Sequence, residues 1–342
     1  MTEPSCTNRR PALRSKRNRK ARRRVTKRKF QSASGGEALD VYARVTNKIV
    51  TDLEKGVAPW VQPWSASPDG SRLTRPLRHN GVPYNGVNIL LLWGSALEQG
   101  FTSPHWMTFK QAQELGAHVR KGERGSLVVY ANTYQKTEHT ADGQDVERDI
   151  PFLRSYVVFN VAQIDGLPDK YRAKPPPQFE NAAERIAHAE TFFANTGAAI
   201  LLRGHRAAYS PDADHILMPP FETFQNAESY YATLAHETVH WTRHPSRLER
   251  DLGRKSWGDA GYAAEELVAE LGAAFLCADL EITPVVSEHH AAYIEHWLRV
   301  LKGDKKAIFS AAAHAQRAVD FLHRAQGPAP TQTPEEPEPS RL

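Results

Sequence analysis

Two histidines four residues apart, with a glutamate after the first, stand at His236-Glu237-Thr238-Val239-His240. On a helix, positions i and i+4 share a face, so both imidazoles can reach one ion. A divalent metal lowers the pKa of a water it holds toward ~7. Glu237, next to the first ligand, is placed to take that proton. The chemistry is metal-assisted hydrolysis. A third histidine, His244, continues the spacing. It lies about 12 Å along a straight helix from His236, whereas metal–nitrogen bonds are ~2.0–2.1 Å. Pro245 ends the helix there. His244 is therefore expected outside the metal shell.

A third ligand should come from another helix. The stretch GYAAEELVAELGAAFLCADL, 261–280, places Glu265, Glu266 and Glu270 in an otherwise apolar run. Burying acids is costly unless they are paired or bound to metal. Glu266 and Glu270 share a face, so one can ligate while the other accepts a hydrogen bond from a ligand histidine. Glu265 points about 100° away from Glu266. The alternative is that all three acids form a solvated face. Tyr262, Tyr293, His289 and His290 are candidates for stabilising an oxyanion, and spacing does not choose among them. Two histidines and one carboxylate suit zinc, with Mn2+, Co2+ or Fe2+ as alternatives.

The elements that must position these groups read as α+β in two domains. Helical spacing covers 38–56, and buried and shorter helices follow at VNILLLWGSALEQG and TFKQAQELGAHV. SLVVYANTY and RSYVVFNVAQI read as strands of a small antiparallel sheet, joined through a polar segment containing Asp-Gly. This gives a first domain over 37–166. LPDKYRAKPPPQFE, 167–180, reads as a proline-rich linker between independently folding units. Short strands at 199–203, 206–209 and around DHILMPP precede helices at 224–243, 260–279, 288–302 and 304–325, a second domain over 181–326. Residues 327–342 read as a disordered tail.

The net charge of +5 conceals an asymmetry. Residues 9–29 hold 13 of the 44 lysines and arginines, and only Glu3 among the acids precedes residue 30, leaving 31 bases against 38 acids beyond it. Residues 1–36 are expected to form a disordered basic tail able to neutralise phosphates of duplex DNA or RNA. A solubilising tail is the plainer alternative. The first domain interleaves Trp60, Trp64, Tyr84, Trp106 and Phe109 with Lys110, Arg120, Lys121 and Arg124, the combination that single-strand binders use for stacking and charge. Each aromatic taken alone reads more simply as core. No run of 18 apolar residues occurs, so no membrane partner is expected. With two cysteines, Cys6 and Cys277, a reducing cytoplasm fits.

HExxH followed by Glu266-Leu-Val-Ala-Glu270 resembles the zincin metallopeptidases whose third ligand is a glutamate. More closely, HETVHWTRHPSRL, EELVAELGAAFL, PWVQPW, PYNGVNILLLW, WMTFKQAQELGAHVRKGERGSLVVY and VFNVAQIDGLP resemble the ArdC-type antirestriction proteins of plasmids and mobile elements, over roughly 38–325. The resemblance implies a domain binding single-stranded DNA joined to a zincin-like domain with a small sheet and an HExxH helix. It also implies His236, His240 and Glu266 as ligands of one divalent ion, zinc first, with Mn2+ or Co2+ as alternatives. Glu237 is then the catalytic base, Glu270 stands behind the ligands, and Tyr209 to Pro220 rims the cleft. An unidentified protein would be the substrate. Two other functions stay open: a peptidase acting on a regulatory protein, with DNA binding only for localisation, and a DNA-binding protein with a structural metal.

Overall fold

A computed structural model of the protein describes residues 35–60, 74–139, 145–171, 182–253, 259–283 and 290–327. The basic tail, Trp64, most of the expected linker and the C-terminal tail lie outside the described residues. In the N-terminal half, α1 (Gly35–Glu54), β1 (Leu77–Arg78), α2 (Val87–Gln99), β2 (His105–Met107), α3 (Phe109–Glu114) and β3 (His118–Val119) precede two long strands. These are β4 (Ser126–His139) and β5 (Asp145–Asn160), followed by β6 (Ile164–Asp165). The main sheet runs β1-β2-β5-β4, parallel at β1–β2 and antiparallel elsewhere, and β3 pairs β6 in a small separate ladder. α2 ends where Gly100 takes a left-handed turn at φ 70, a conformation open to glycine at little cost. The two ends of the polar segment expected between the strands are instead part of them: Gln135 to His139 pair with Asp145 to Asp149, and the Asp-Gly between lies outside the described residues. The pairing satisfies the backbone, so no apolar face is required there.

The C-terminal half contains α4 (Ala182–Asn195), β7 (Ala199–Leu202), β8 (Ala208–Ser210) and β9 (His215–Met218). Four helices complete it: α5 (Ala227–Trp241), α6 (Ala260–Asp279), α7 (His290–Gly303) and α8 (Ala307–Arg324). Its sheet is β7-β9-β8, parallel then antiparallel. Both site helices start on side-chain caps. Asn226 accepts from the Ser229 amide at 2.8 Å and Asp259 from the Tyr262 amide at 2.7 Å, each satisfying an otherwise orphan donor.

The expectation of two independently folding units meets a shared core. Val45, Ile49 and Leu53 of α1 and Leu90 and Leu91 of α2 lie in one apolar cluster with Phe275, Trp297, Leu301 and Ile308. Trp60 meets Trp297 at 6.1 Å between ring centroids, and Trp93 meets Phe275 at 5.9 Å. Buried Arg75 donates to Asp279 at 2.8 Å, and Thr46 Oγ1 donates to the Lys305 carbonyl at 2.7 Å. Apolar seams of this kind hold domains in one arrangement. Full-length protein should therefore unfold in one cooperative thermal transition, and residues 182–327 alone should be poorly soluble. Two resolved transitions, with the fragment as stable alone as in the whole chain, would show the halves to be independent.

Candidate metal centre

α5 carries His236, Glu237 and His240, and α6 packs across it. The close crossing depends on Gly272: a Cβ there would stand 2.8 and 2.9 Å from the two γ-methyls of Val239. Gly272→Ala should push the ligand helices apart and cost about 1–3 kcal/mol of stability, with weaker metal binding. Denaturation and metal titration check this, and unchanged values in both would mean the crossing tolerates the methyl.

At the crossing, ligand atoms of His236, His240 and Glu266 lie within 4.8 Å of one another. The two Nε2 atoms face each other at 3.1 Å, and each stands 3.6 Å from a Glu266 oxygen. Two nitrogens on one tetrahedral ion at ~2.0–2.1 Å would be about 3.3 Å apart. The three residues therefore fit a shared divalent cation. Burial opposes charge on both rings, yet the Glu266 hydrogen bond together with the charges of Glu237 and Glu270 holds His236 above the ordinary histidine range. His240 faces Glu266 and Glu265 and is pushed up to about 10. Burial opposes charge on Glu266 as well, and the two histidines hold its carboxyl well below the usual range. Without an ion the site keeps protons, which a divalent cation would displace.

Glu265 and Glu266 are adjacent and do different things. Glu265 faces His240 Nδ1 at 3.1 Å, which leaves Nε2 for the ion. The other side of Glu265 is held by Arg250, whose Nε and Nη2 donate to its two oxygens at 2.8 and 2.7 Å. Arg250 also donates to Thr242 Oγ1 at 3.0 Å and to the Val239 carbonyl at 2.9 Å. Burial works against the Glu265 charge, but Arg250 and then His240 bring its pKa down to about 2. The partner behind His240 is thus Glu265. Glu270, expected from spacing behind a ligand histidine, lends its charge to His236. Arg250 was not singled out from the sequence. It follows the helix in a polar stretch, where an arginine gives no sign of burial.

Glu237 is 8% exposed, and its charge reaches His236. His244 lies beyond α5, with Nδ1 2.8 Å from Ser246 Oγ and outside the triad. Arg247 fastens the β8–β9 hairpin to the end of α5. It pairs with Asp214, stacks on Trp241 at 3.9 Å and donates to the Trp241 carbonyl at 2.7 Å. Tyr262 sits half-buried in the first turn of α6. His289 and the side chains of His290 and Tyr293 lie outside the described residues.

Three of the aromatic candidates for nucleic-acid stacking are core. Trp60 and Trp106 are 1% exposed and Tyr84 4%, because large rings contribute most when fully buried. Phe109 is 49% exposed. Lys110 pairs with Glu114 at 3.5 Å, and Arg120 with Glu123 at 2.7 Å and Asp165 at 3.5 Å. Lys121 and Arg124 are exposed. Among the described residues no helix is long and apolar enough to cross a membrane.

Comparison with known proteins follows the same division. Residues 39–159 match the N-terminal domain of anti-restriction factor ArdC, and residues 187–314 match a zincin-like metallopeptidase domain. The metal-free crystal structure of antirestriction protein ArdC from plasmid R388 superposes with a TM-score of 0.71 at 43% identity, covering 84% of this chain and 98% of that one. Its Mn(II)-bound form gives 0.68 at 42% identity, with the same coverage. An uncharacterised protein of Sinorhizobium fredii, y4eC, is 41% identical over 297 residues, 85% of this chain and 94% of its own length. DNA primase TraC of Escherichia coli is 39% identical over 297 residues, 82% of this chain but 27% of the primase.

Proposed function

The chain belongs to the ArdC family of antirestriction proteins, and from that premise we propose that it binds single-stranded DNA through its N-terminal half and carries a metal-dependent, peptidase-like site in its C-terminal half. The observation that carries the catalytic part is the convergence of His236, His240 and Glu266 beside Glu237. Three protein ligands leave a fourth position for water or substrate, whereas structural zinc sites close all four. The proposed ion is zinc, which two histidines and a carboxylate suit; Mn2+ is the alternative favoured by the Mn(II)-bound relative.

In this reading His236, His240 and Glu266 hold the ion, which when bound supplies Lewis acidity toward a peptide carbonyl. Glu237 takes a proton from the attacking water and returns it to the leaving amine. Glu265 and Arg250 keep the His240 ring in one orientation. The β8–β9 hairpin, anchored through Arg247, stands as the cleft rim on which a peptide would lie. For the DNA half, the support is the matched ArdC N-terminal domain and the occurrence of a like region within a DNA primase.

Glu237→Gln tests the catalytic role while keeping the shape of the site. The variant should retain its metal and lose cleavage of candidate restriction or regulatory proteins by roughly 10²–10⁴-fold, the range for a general base. Cleavage equal to wild type would remove Glu237 from the reaction. Antirestriction measured in parallel tells whether that function depends on proteolysis.

A further inference from the structure

Strands β4 and β5 alternate, so residues of one parity share a face. Their register pairs even with even: Tyr130 with Arg154, Asn132 with Phe152, Tyr134 with Ile150, and Val128 with Tyr156. On this face Tyr130, Tyr134 and Tyr156 are 46%, 50% and 40% exposed. Phe152 lies between the first two, with ring centroids 6.0 Å from Tyr130 and 6.1 Å from Tyr134. The Arg154 guanidinium stands 5.1 Å over the Phe152 ring. Three tyrosines together on a solvent face are unusual, since exposed rings forgo most of their burial energy.

Charge follows the same alternation. Among the side chains described on these two strands, the even face carries the Arg154 guanidinium. The odd face carries the exposed acids Glu147 and Asp149. Among the described side chains, one side of the ribbon is thus aromatic with a guanidinium, and the other acidic. A partner suited to the first side is a polyanion with flat, exposed π-faces. In a duplex those faces are stacked away, while in a single strand they are free.

We propose that the Tyr130, Tyr134, Phe152, Arg154 and Tyr156 face of the β4–β5 ribbon is the platform on which single-stranded nucleic acid stacks. The inference rests on the DNA-binding reading above and gives it a surface, in place of the buried Trp60, Tyr84 and Trp106. The tyrosines engage bases, and Arg154 engages the backbone. A peptide adding to the free edge of β4 is the competing occupant, and it would use backbone groups in place of the rings.

The test uses the full chain, a fluorescein-labelled dT oligonucleotide and excess unlabelled duplex to occupy charge-only sites. Tyr130→Ala/Tyr134→Ala should weaken single-strand binding roughly tenfold or more per ring, with the thermal midpoint unchanged. Tyr130→Phe/Tyr134→Phe, which keeps the rings, should bind as wild type. Arg154→Ala should make the salt dependence shallower by about one counterion. Equal binding by wild type and the alanine variant overturns the platform while leaving DNA binding intact. Equal loss on single strand and labelled duplex shows the rings do not stack and also overturns it. Failure of wild type to bind the oligonucleotide at all overturns the DNA-binding reading, and the platform with it.

Discussion

Arg250→Met is expected to destabilise the protein by about 3–5 kcal/mol, the cost of breaking one partner of a buried ion pair. The arginine is 4% exposed and Glu265 3%. Its guanidinium spans the two Glu265 oxygens, the Thr242 hydroxyl and the Val239 carbonyl. Removing it leaves a carboxylate, a hydroxyl and a carbonyl without that donor, and buried polar groups lose most when left unmade. Adding Glu265→Gln should restore part of the loss, because the uncompensated charge goes with it. The pH dependence has a definite sign. Glu265, held at about 2 by Arg250 and His240 against its burial, contributes stability above the unfolded carboxyl value of about 4.3. That contribution disappears as pH falls toward 2. The acid limb of Arg250→Met should be shallower than that of wild type. Urea denaturation across a pH series measures both. A loss below 1 kcal/mol at neutral pH would mean that water replaces the guanidinium and the site is not sealed.

The site was legible where local spacing decides geometry. His236 and His240 share a face because four residues make about one helical turn, and His244 falls out of reach by the same rule. Glu266 was legible as one of three acids in an apolar helix. What spacing could not give was the division of labour between Glu265 and Glu266, which depends on how α6 is rotated against α5. Gly272 and Val239 set that crossing, and no pattern within either helix reports it. Arg250 is the same kind of case: an arginine in a polar loop reads as solvated until the chain returns it under the helix.

The nucleic-acid side fails for a related reason. Composition brought Trp60, Tyr84 and Trp106 forward because they are aromatics near basic residues in sequence. Trp60 is buried in the core shared between the halves, and Tyr84 and Trp106 in a second cluster with Leu92, Val128 and Val158, both long-range packing facts. The ribbon aromatics lie in stretches that read as strand and polar connection. Only the β4–β5 register, carried through Gln135 and Asp149, aligns Tyr130, Tyr134, Phe152 and Arg154 on one face. Period-2 alternation was visible in SLVVYANTY, but where each face is covered is set by packing: Val128 and Val158, of the same parity as the tyrosines, are buried with Leu92 of α2 and Trp106, while Tyr130 and Tyr134 further along stand exposed.

Glu266→Ala is expected to abolish stoichiometric metal binding, while Glu265→Ala and His244→Ala retain it. The ground is distance. Glu266 sets Oε2 3.6 Å from the His236 Nε2 and Oε1 3.6 Å from the His240 Nε2, so a single ion between the rings would meet its carboxylate after small adjustment. Glu265 faces the opposite nitrogen of His240 and lies behind the ring. Its loss should lower affinity about 10–100-fold, the usual effect of removing the partner that orients a ligand histidine. It should also destabilise the fold, since Arg250 is then buried without its acid. His244, occupied with Ser246, should give full occupancy. Stripped protein titrated with Zn2+ and separately with Mn2+, followed by metal analysis after dialysis, reads all three. Glu266→Gln belongs in the series, because it keeps size and removes charge. If it binds as tightly as wild type, the carboxylate is not a ligand. Full occupancy in Glu266→Ala together with loss in Glu265→Ala would move the third ligand by one residue and require α6 to turn about 100° about its axis.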